Sequence, residues 1–357
     1  MQPTIYLVIV IVSFLSAWGL THWAIALSTR HDAFDLPGPR KIHQTKVPNL
    51  GWVGIFGGWL VPLGLLALVV CAMQRWGYTR NPIFAGMLRK MPTMAGIVAG
   101  GVLSLFFGWL DDRRKMSPLW KLLVQTGLGS LLCALGIRIT LFSSHWLSAP
   151  LTIAWVLCVM NAFNLLDNLD GTCAGVAMIG CFLFLCVAAW LKQYLICLLL
   201  AGFLGSLGGF LLLNFPPARI FMGNAGSSFV GYIMVTLTIL ETFYKRGVPS
   251  HLAVITPVLI LAVPIYDTTC VVLIRVYHRL PVYRGDTNHF AHRLLERGLT
   301  SPQTVLAIYG ITLVVGMGSL FLPLVQTLPA ILILAACCGF LVGLGVWEFY
   351  LQRRRMD

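Results

Sequence analysis

The chain has little charge: of 357 residues only 10% are Asp, Glu, Lys or Arg, and only 12 are acidic. A water-soluble domain carries about 25% charged residues, so an ordinary cytosolic globule is excluded. The same shortage excludes a disordered chain, which would be polar and charge-rich. No Cys-x-x-Cys pair occurs. Nine of the ten cysteines (Cys71, Cys133, Cys158, Cys181, Cys186, Cys197, Cys270, Cys337, Cys338) lie in apolar runs, and Cys173 follows a polar motif. They carry neither a disulfide framework nor a zinc pattern. Polar sequence is also too scarce to build the basic face of a nucleic-acid binder, although the formal net charge is +13.

What is present is apolar sequence, 58% hydrophobic residues with a mean hydropathy of +0.85. A helix that crosses a bilayer needs roughly 20 apolar residues. Eleven such runs occur, at 4–28, 50–73, 93–110, 121–142, 149–165, 172–191, 193–213, 226–241, 251–274, 303–323 and 327–350. They predict an all-α, polytopic integral membrane protein of about eleven transmembrane helices, a single domain over 1–357. The first run has no basic leader and continues into the body of the chain, so it reads as a span and not as a cleaved signal.

Eleven spans sort the loops into two alternating sets. One set (29–49, 111–120, 166–171, 214–225, 275–302 and the tail) holds 17 of the 25 Lys and Arg residues, counting Lys121 at its edge. The positive-inside rule puts that set in the cytoplasm and the N-terminus outside. The acids are more lopsided: Asp32, Asp35, Asp111, Asp112, Asp167, Asp170, Asp286, Glu296 and Asp357 fall in the same set, and Asp267 lies in a span near that face. Only Glu241 is at the other face, and Glu348 is late in the last span. Carboxylates gathered with His and Asn on one face suggest a metal-assisted polar site. Simple pairing with neighbouring Arg suits Glu296 and Asp32 but not adjacent acids.

Four segments carry the chemistry. Asp111-Asp112, followed by Arg113, Arg114 and Lys115, places two like charges at an apolar boundary, where they need a nearby cation. Asn161, Asn164, Asp167 and Asp170 recur every third residue before Gly171. At roughly 100° per residue they cannot share one face of a regular helix, so the helix is expected to tighten or break near Gly171. Such backbone is tolerated at membrane depth where it lines a wet cavity. In the run from Asn214 to Ser228, Pro216 and Pro217 end a span. Gly223 lets backbone approach a ligand, and small residues around Asn224 offer N–H groups to phosphate oxygens. Finally, His289 and His292 are i,i+3 neighbours in a loop with Arg284 and Arg293, a setting that favours an anionic ligand over a metal.

The ordered set DD-x-x-K, NAFNxxDNxDG, NFPPARIFMGNAGS and NHFAHRL, with Asp35 to His43 and Pro48 ahead of it, resembles the polyprenyl-phosphate N-acetylhexosamine-1-phosphate transferase family. The eleven spans and the histidine loop resemble its UDP-GlcNAc-type branch. The resemblance implies transfer of a sugar-1-phosphate from a UDP-sugar to undecaprenyl phosphate with Mg²⁺ or Mn²⁺, releasing UMP. It implies a multi-pass protein of the bacterial inner membrane that starts cell-envelope polysaccharide or lipopolysaccharide, with which a homodimer is compatible. Nucleic acid is not an expected partner. Carried over by motif, Asp111 and Asp112 lie by the lipid phosphate and metal, with Lys115 offsetting charge. Asn161, Asn164, Asp167 and Asp170 surround the diphosphate and nucleoside. Asn214 and Phe221 line the uridine pocket beside Gly223, and His289, His292 and Arg293 meet the diphosphate or sugar.

Two departures bear on activity. The family's metal-binding Asp is Asn224 here, which keeps a carbonyl oxygen but loses the charge that attracts Mg²⁺. Ala291 stands where the histidine loop usually has another His. An inactive relative that binds lipid phosphate or nucleotide sugar is therefore an alternative reading. A transporter is another, but it predicts acids at mid-membrane and inverted repeats, whereas the acids gather at one face and no repeat is found.

Overall fold

Within lipid every backbone N–H and C=O must find its partner inside the segment, so apolar runs fold as helices. The computed structural model describes residues 3–35, 46–75, 82–141, 145–243, 249–281 and 288–353. Its helices are α1 (Pro3–Arg30), α2 (Trp52–Arg75), α3 (Pro82–Arg114), α4 (Pro118–Ala134), α5 (His145–Leu166), α6 (Thr172–Trp190) and α7 (Tyr194–Asn214). They continue with α8 (Gly223–Leu240), α9 (Thr256–Ile260), α10 (Ala262–Tyr277), α11 (Phe290–Glu296), α12 (Ser301–Phe321) and α13 (Thr327–Arg353). The expected all-α class holds. The one sheet among the described residues is a two-residue antiparallel pair, β1 (Phe34–Asp35) on β2 (Val47–Pro48).

Each of the eleven apolar runs coincides with a helix or a bent pair of helices. Among the described residues nine helices are long and apolar enough to cross a membrane, and the bent pair around α9 and α10 makes a tenth. The remaining run, 121–142, folds as the shorter α4 of 17 residues, ended by Leu135 and by Gly136 at φ 76°. The run 251–274 departs further from a straight span, because its two halves meet at 68°. Pro264 explains the bend: it has no N–H to give the Ile260 carbonyl, and its ring crowds that carbonyl.

The core sits on α6, α7 and α8. In the spans of α7 and α8, 72% of the residues are buried, against 6% in α13, which faces outward along most of its length. Phe203, Phe210, Phe229 and Trp59 fill the centre. α1 packs on α7 and α2, α3 and α5 pack on α8, and α12 packs on α6. This arrangement brings the ends of α3, α5, α7 and α8 together, and with them the polar motifs.

Candidate active site

The contact between α3 and α8 depends on Gly108. A Cβ there would lie 2.5 Å from the Asn224 carbonyl oxygen and 2.6 Å from the Ala225 Cα, so only glycine lets the helices close. One turn later come the two acids, and they point apart. Asp111 is buried and pairs with Lys121 Nζ on α4 at 2.7 Å, while its Oδ1 accepts the Met116 N–H at 2.8 Å. Asp112 turns to the start of α8 and accepts the N–H groups of Asn224 (3.0 Å) and Ala225 (3.3 Å). The expected repulsion is thus relieved by separate partners, a lysine for one acid and a helix N-terminus for the other. The N–H groups anticipated for phosphate are held by Asp112. Lys115 is exposed and left-handed at φ 45°.

The break expected near Gly171 is present: α5 ends at Leu166, Gly171 has φ 75°, and α6 begins at Thr172. That turn is locked from three sides. Asn214 Oδ1 accepts the Gly171 N–H (3.0 Å), Tyr309 of α12 donates its hydroxyl to the Gly171 carbonyl (2.6 Å), and Asp170 accepts the Ala218 N–H (3.0 Å). Asn214 also donates to the Ile220 carbonyl at 2.9 Å, so both ends of its buried amide serve the backbone. Phe221 is clamped through its own backbone. Its N–H donates to the Pro48 carbonyl (2.8 Å) and its carbonyl accepts the Gly51 N–H (2.9 Å), which places β2 beside the site.

On the last turns of α5, Asn161 donates to Gln125 Oε1 at 2.7 Å, and Asn164 donates to Asn224 Oδ1 (3.2 Å) and Ser227 Oγ (3.1 Å). Asp167 follows directly. Burial, with repulsion from Asp112, Asp170 and Asp35, pushes its pKa up to about 8. No cation pairs with Asp167 among the described residues. It also sits just past a helix C-terminus, where the macrodipole disfavours an anion. These groups suit a hard divalent cation: carboxylates short of positive charge, with an amide oxygen on Asn224, the residue whose N–H Asp112 accepts. Among the described residues no three His, Cys, Asp or Glu side chains converge as a ready cage. That is compatible with magnesium, which usually takes one or two carboxylates and completes its shell from water and substrate phosphates.

Beside this cluster lies a groove between α3, α4, α5 and α8, open to solvent on one side. Asp111, Lys121, Gln125 and Asn164 supply its polar lining, and Phe107, Val124, Leu128 and Met160 its apolar walls. Asp111 and Asp112, consecutive in sequence, therefore serve two adjoining compartments.

The histidine segment is built differently. His289 is buried with Nδ1 3.0 Å from Asp267 Oδ2, and Asp267 Oδ1 accepts the Phe290 N–H at 2.6 Å. The His292 ring lies 6.2 Å from that of His289. Arg293 pairs with Glu348 of α13 at 2.8 Å. Residues 36–43 of the early motif, and Arg284, Asp286 and Asp357, lie outside the described residues.

Sequence reasoning passed over Gln125, Asp267, Ser227, Tyr309 and Glu348 as site residues, and counted Lys121 only as a basic charge. Lys121 and Gln125 left a trace, being polar residues four apart on an otherwise apolar helix. Glu348 left the trace of a carboxylate late in an apolar run, and Tyr309 left none, because it meets Gly171 only through the fold.

The matched family model, glycosyl transferase family 4, covers residues 94–242, which hold the acidic pair, the acid cluster and the start of α8. A Bacillus subtilis (strain 168) protein named "probable undecaprenyl-phosphate N-acetylglucosaminyl 1-phosphate transferase" is 32% identical over 321 residues, 87% of this chain and 83% of that protein. A decaprenyl-phosphate N-acetylglucosaminephosphotransferase of Mycobacterium leprae (strain TN) is 28% identical over 83% of this chain and 79% of its own. The undecaprenyl-phosphate alpha-N-acetylglucosaminyl 1-phosphate transferase of Escherichia coli (strain K12) is 23% identical over 77% of this chain and 72% of its own. The chain belongs to the polyprenyl-phosphate N-acetylhexosamine-1-phosphate transferase family, within glycosyl transferase family 4.

Proposed function

We propose that the chain transfers an N-acetylhexosamine-1-phosphate, with GlcNAc-1-phosphate the first candidate, from a UDP-sugar to undecaprenyl phosphate, releasing UMP to begin a cell-envelope polysaccharide. The observation that carries this reading is the pair Asp111-Asp112 facing two adjoining compartments. One is a groove with apolar walls and a lysine, suited to a lipid phosphate. The other is a cluster of acids short of positive charge. The names of the relatives supply the same two substrates, a polyprenyl phosphate and an N-acetylglucosamine phosphate. The loop asymmetry of Lys and Arg supports an acid cluster on the cytoplasmic side, where a UDP-sugar is available, with the N-terminus outside.

The chemistry asks little of a base. A phosphate monoester has its second pKa near 6, so at neutral pH the acceptor is mostly a dianion and already a nucleophile. Lys121 holds it in the groove and offsets its charge. Its oxygen forms a bond to the β-phosphorus of the UDP-sugar while the bond from that phosphorus to the bridging oxygen breaks, and UMP leaves with the electron pair. Asp112 and Asp167, with the Asn224 carbonyl, are the groups that would hold Mg²⁺ or Mn²⁺, whose charge would offset that of the diphosphate. Asn164, which lines the groove and donates to Asn224, stands between acceptor and donor, Asn161 supports it from the Gln125 side, and the family resemblance assigns His289 and His292 to the donor.

UMP release by the purified protein with undecaprenyl phosphate, Mg²⁺ and a panel of UDP-sugars tests the reading. Release that requires both the lipid and UDP-GlcNAc is the expected result, and no release with any donor refutes transfer. The side chain at Asn224 favours a second reading, a relative that binds but does not turn over. Saturable binding of UDP-GlcNAc without UMP release would select it. A phosphosugar trapped on any Asp would overturn the direct attack.

A further inference from the structure

α13 is the least buried span, yet it carries one of the most buried carboxylates. Glu348 is 4% exposed and sits near the end of a helix whose span is only 6% buried. Withdrawing a carboxylate from water is costly unless donors replace that water. Three side chains supply them: Tyr266 donates to Oε2 at 3.0 Å, Arg293 to Oε2 at 2.8 Å and Arg297 to Oε1 at 3.3 Å. Arg297 also donates to the Glu348 carbonyl at 3.3 Å and lies 4.7 Å over the Trp347 ring. Gly345, one turn earlier, leaves room for Tyr266, whose hydroxyl would be 3.3 Å from a Cβ there.

Both arginines flank the C-terminal half of α11, a helix of seven residues. So short a helix does not hold itself, since nucleation costs more than its few bonds return. Its start is fixed by Asp267 through His289 and the Phe290 N–H, and its end by Glu348. We propose that Glu348 is a positioning residue that acts through Arg293 and Arg297 to set the height and rotation of α11, and so aims His289 and His292 at the donor. This deepens the transfer reading and rests on it for the role of the two histidines. Arg293 is then a link to α13, in place of the diphosphate contact that family resemblance implies for it.

The test uses the full chain in detergent and reads two quantities: steady-state transfer from UDP-GlcNAc to undecaprenyl phosphate, and amide hydrogen exchange. In Glu348→Gln, kcat should fall about tenfold, with KM for UDP-GlcNAc changed by about twofold or less, as expected for misplaced groups. Exchange over 289–297 should quicken while α5 to α8 keep their protection. Glu348→Asp, which retains the charge, should restore much of both. Unchanged exchange over 289–297 in Glu348→Gln overturns the proposal, and so does faster exchange there with unchanged kcat. If Glu348→Gln loosens the whole chain, Arg297→Gln decides: loss of protection confined to 289–297 supports the latch, and no confined loss overturns it. Absence of UMP release by the unmodified protein strikes the transfer reading alone, because the exchange result does not need turnover.

Discussion

Asp167, half-buried, and Glu348, buried, are both carboxylates near a helix end, and the fold treats them in opposite ways. Glu348 meets two guanidiniums and a tyrosine hydroxyl, and nearby Asp267 meets His289 and a backbone N–H. Asp167 faces Asp112, Asp170 and Asp35, sits past the C-terminus of α5, and has its pKa pushed up to about 8 by burial and those neighbours. Satisfied carboxylates hold geometry, as those around α11 do. Carboxylates left short of positive charge store a demand for it, which a metal-bearing substrate meets. The acid at the other end of the molecule makes a third case. Buried Glu241 has both oxygens without a hydrogen-bond partner among the described residues, and burial raises its pKa well above the usual carboxylate range.

Removing charge separates the two kinds of region. Asp167→Asn should lower kcat about 100-fold or more while improving thermal stability in metal-free buffer, because repulsion is lost together with the electrostatic demand. Loss of both activity and stability would mean that Asp167 is structural. Asp267→Asn should do the reverse, costing about tenfold in kcat together with stability, since a buried partner of His289 and Phe290 is weakened. Steady-state kinetics beside a melting curve distinguishes the two outcomes. The smallest expected effect sharpens the comparison. Asn224→Asp adds one more acid next to Asp112 and should lower the Mg²⁺ concentration for half-maximal UMP release about threefold, with metal-free stability reduced. An unchanged Mg²⁺ dependence would show that this position does not touch the ion.

Much of the site was legible because its motifs are local. Asn161, Asn164, Asp167 and Asp170 could not share a helix face, and the helix does end between Leu166 and Gly171. The acids of one face were sorted by counting spans, and four of them interact in the folded chain. Three points were not legible. Asp111 and Asp112 looked like one repulsive pair, whereas Lys121 of α4 and the first turn of α8 draw them apart. For Asn214, read from the motif as lining a uridine pocket, the structure adds two backbone partners, Gly171 and Ile220. For Arg293, read from the motif as an anion contact, the structure adds Glu348 of α13. In each case a deciding partner comes from another element: α4 and α8 for the acidic pair, the turn between α5 and α6 for Asn214, and α13 for Arg293.

Charge scarcity by itself determined that the chain lives in lipid, that its runs are helices and that its few acids matter. A bilayer penalises unpaired backbone and charge in contact with lipid, so composition alone carries that much. Which acid receives a cation, which anchors a helix and which caps another was decided only by tertiary structure. A carboxylate's role is set by the donors and charges within a few ångströms of it, and here those come from helices that the sequence keeps far apart.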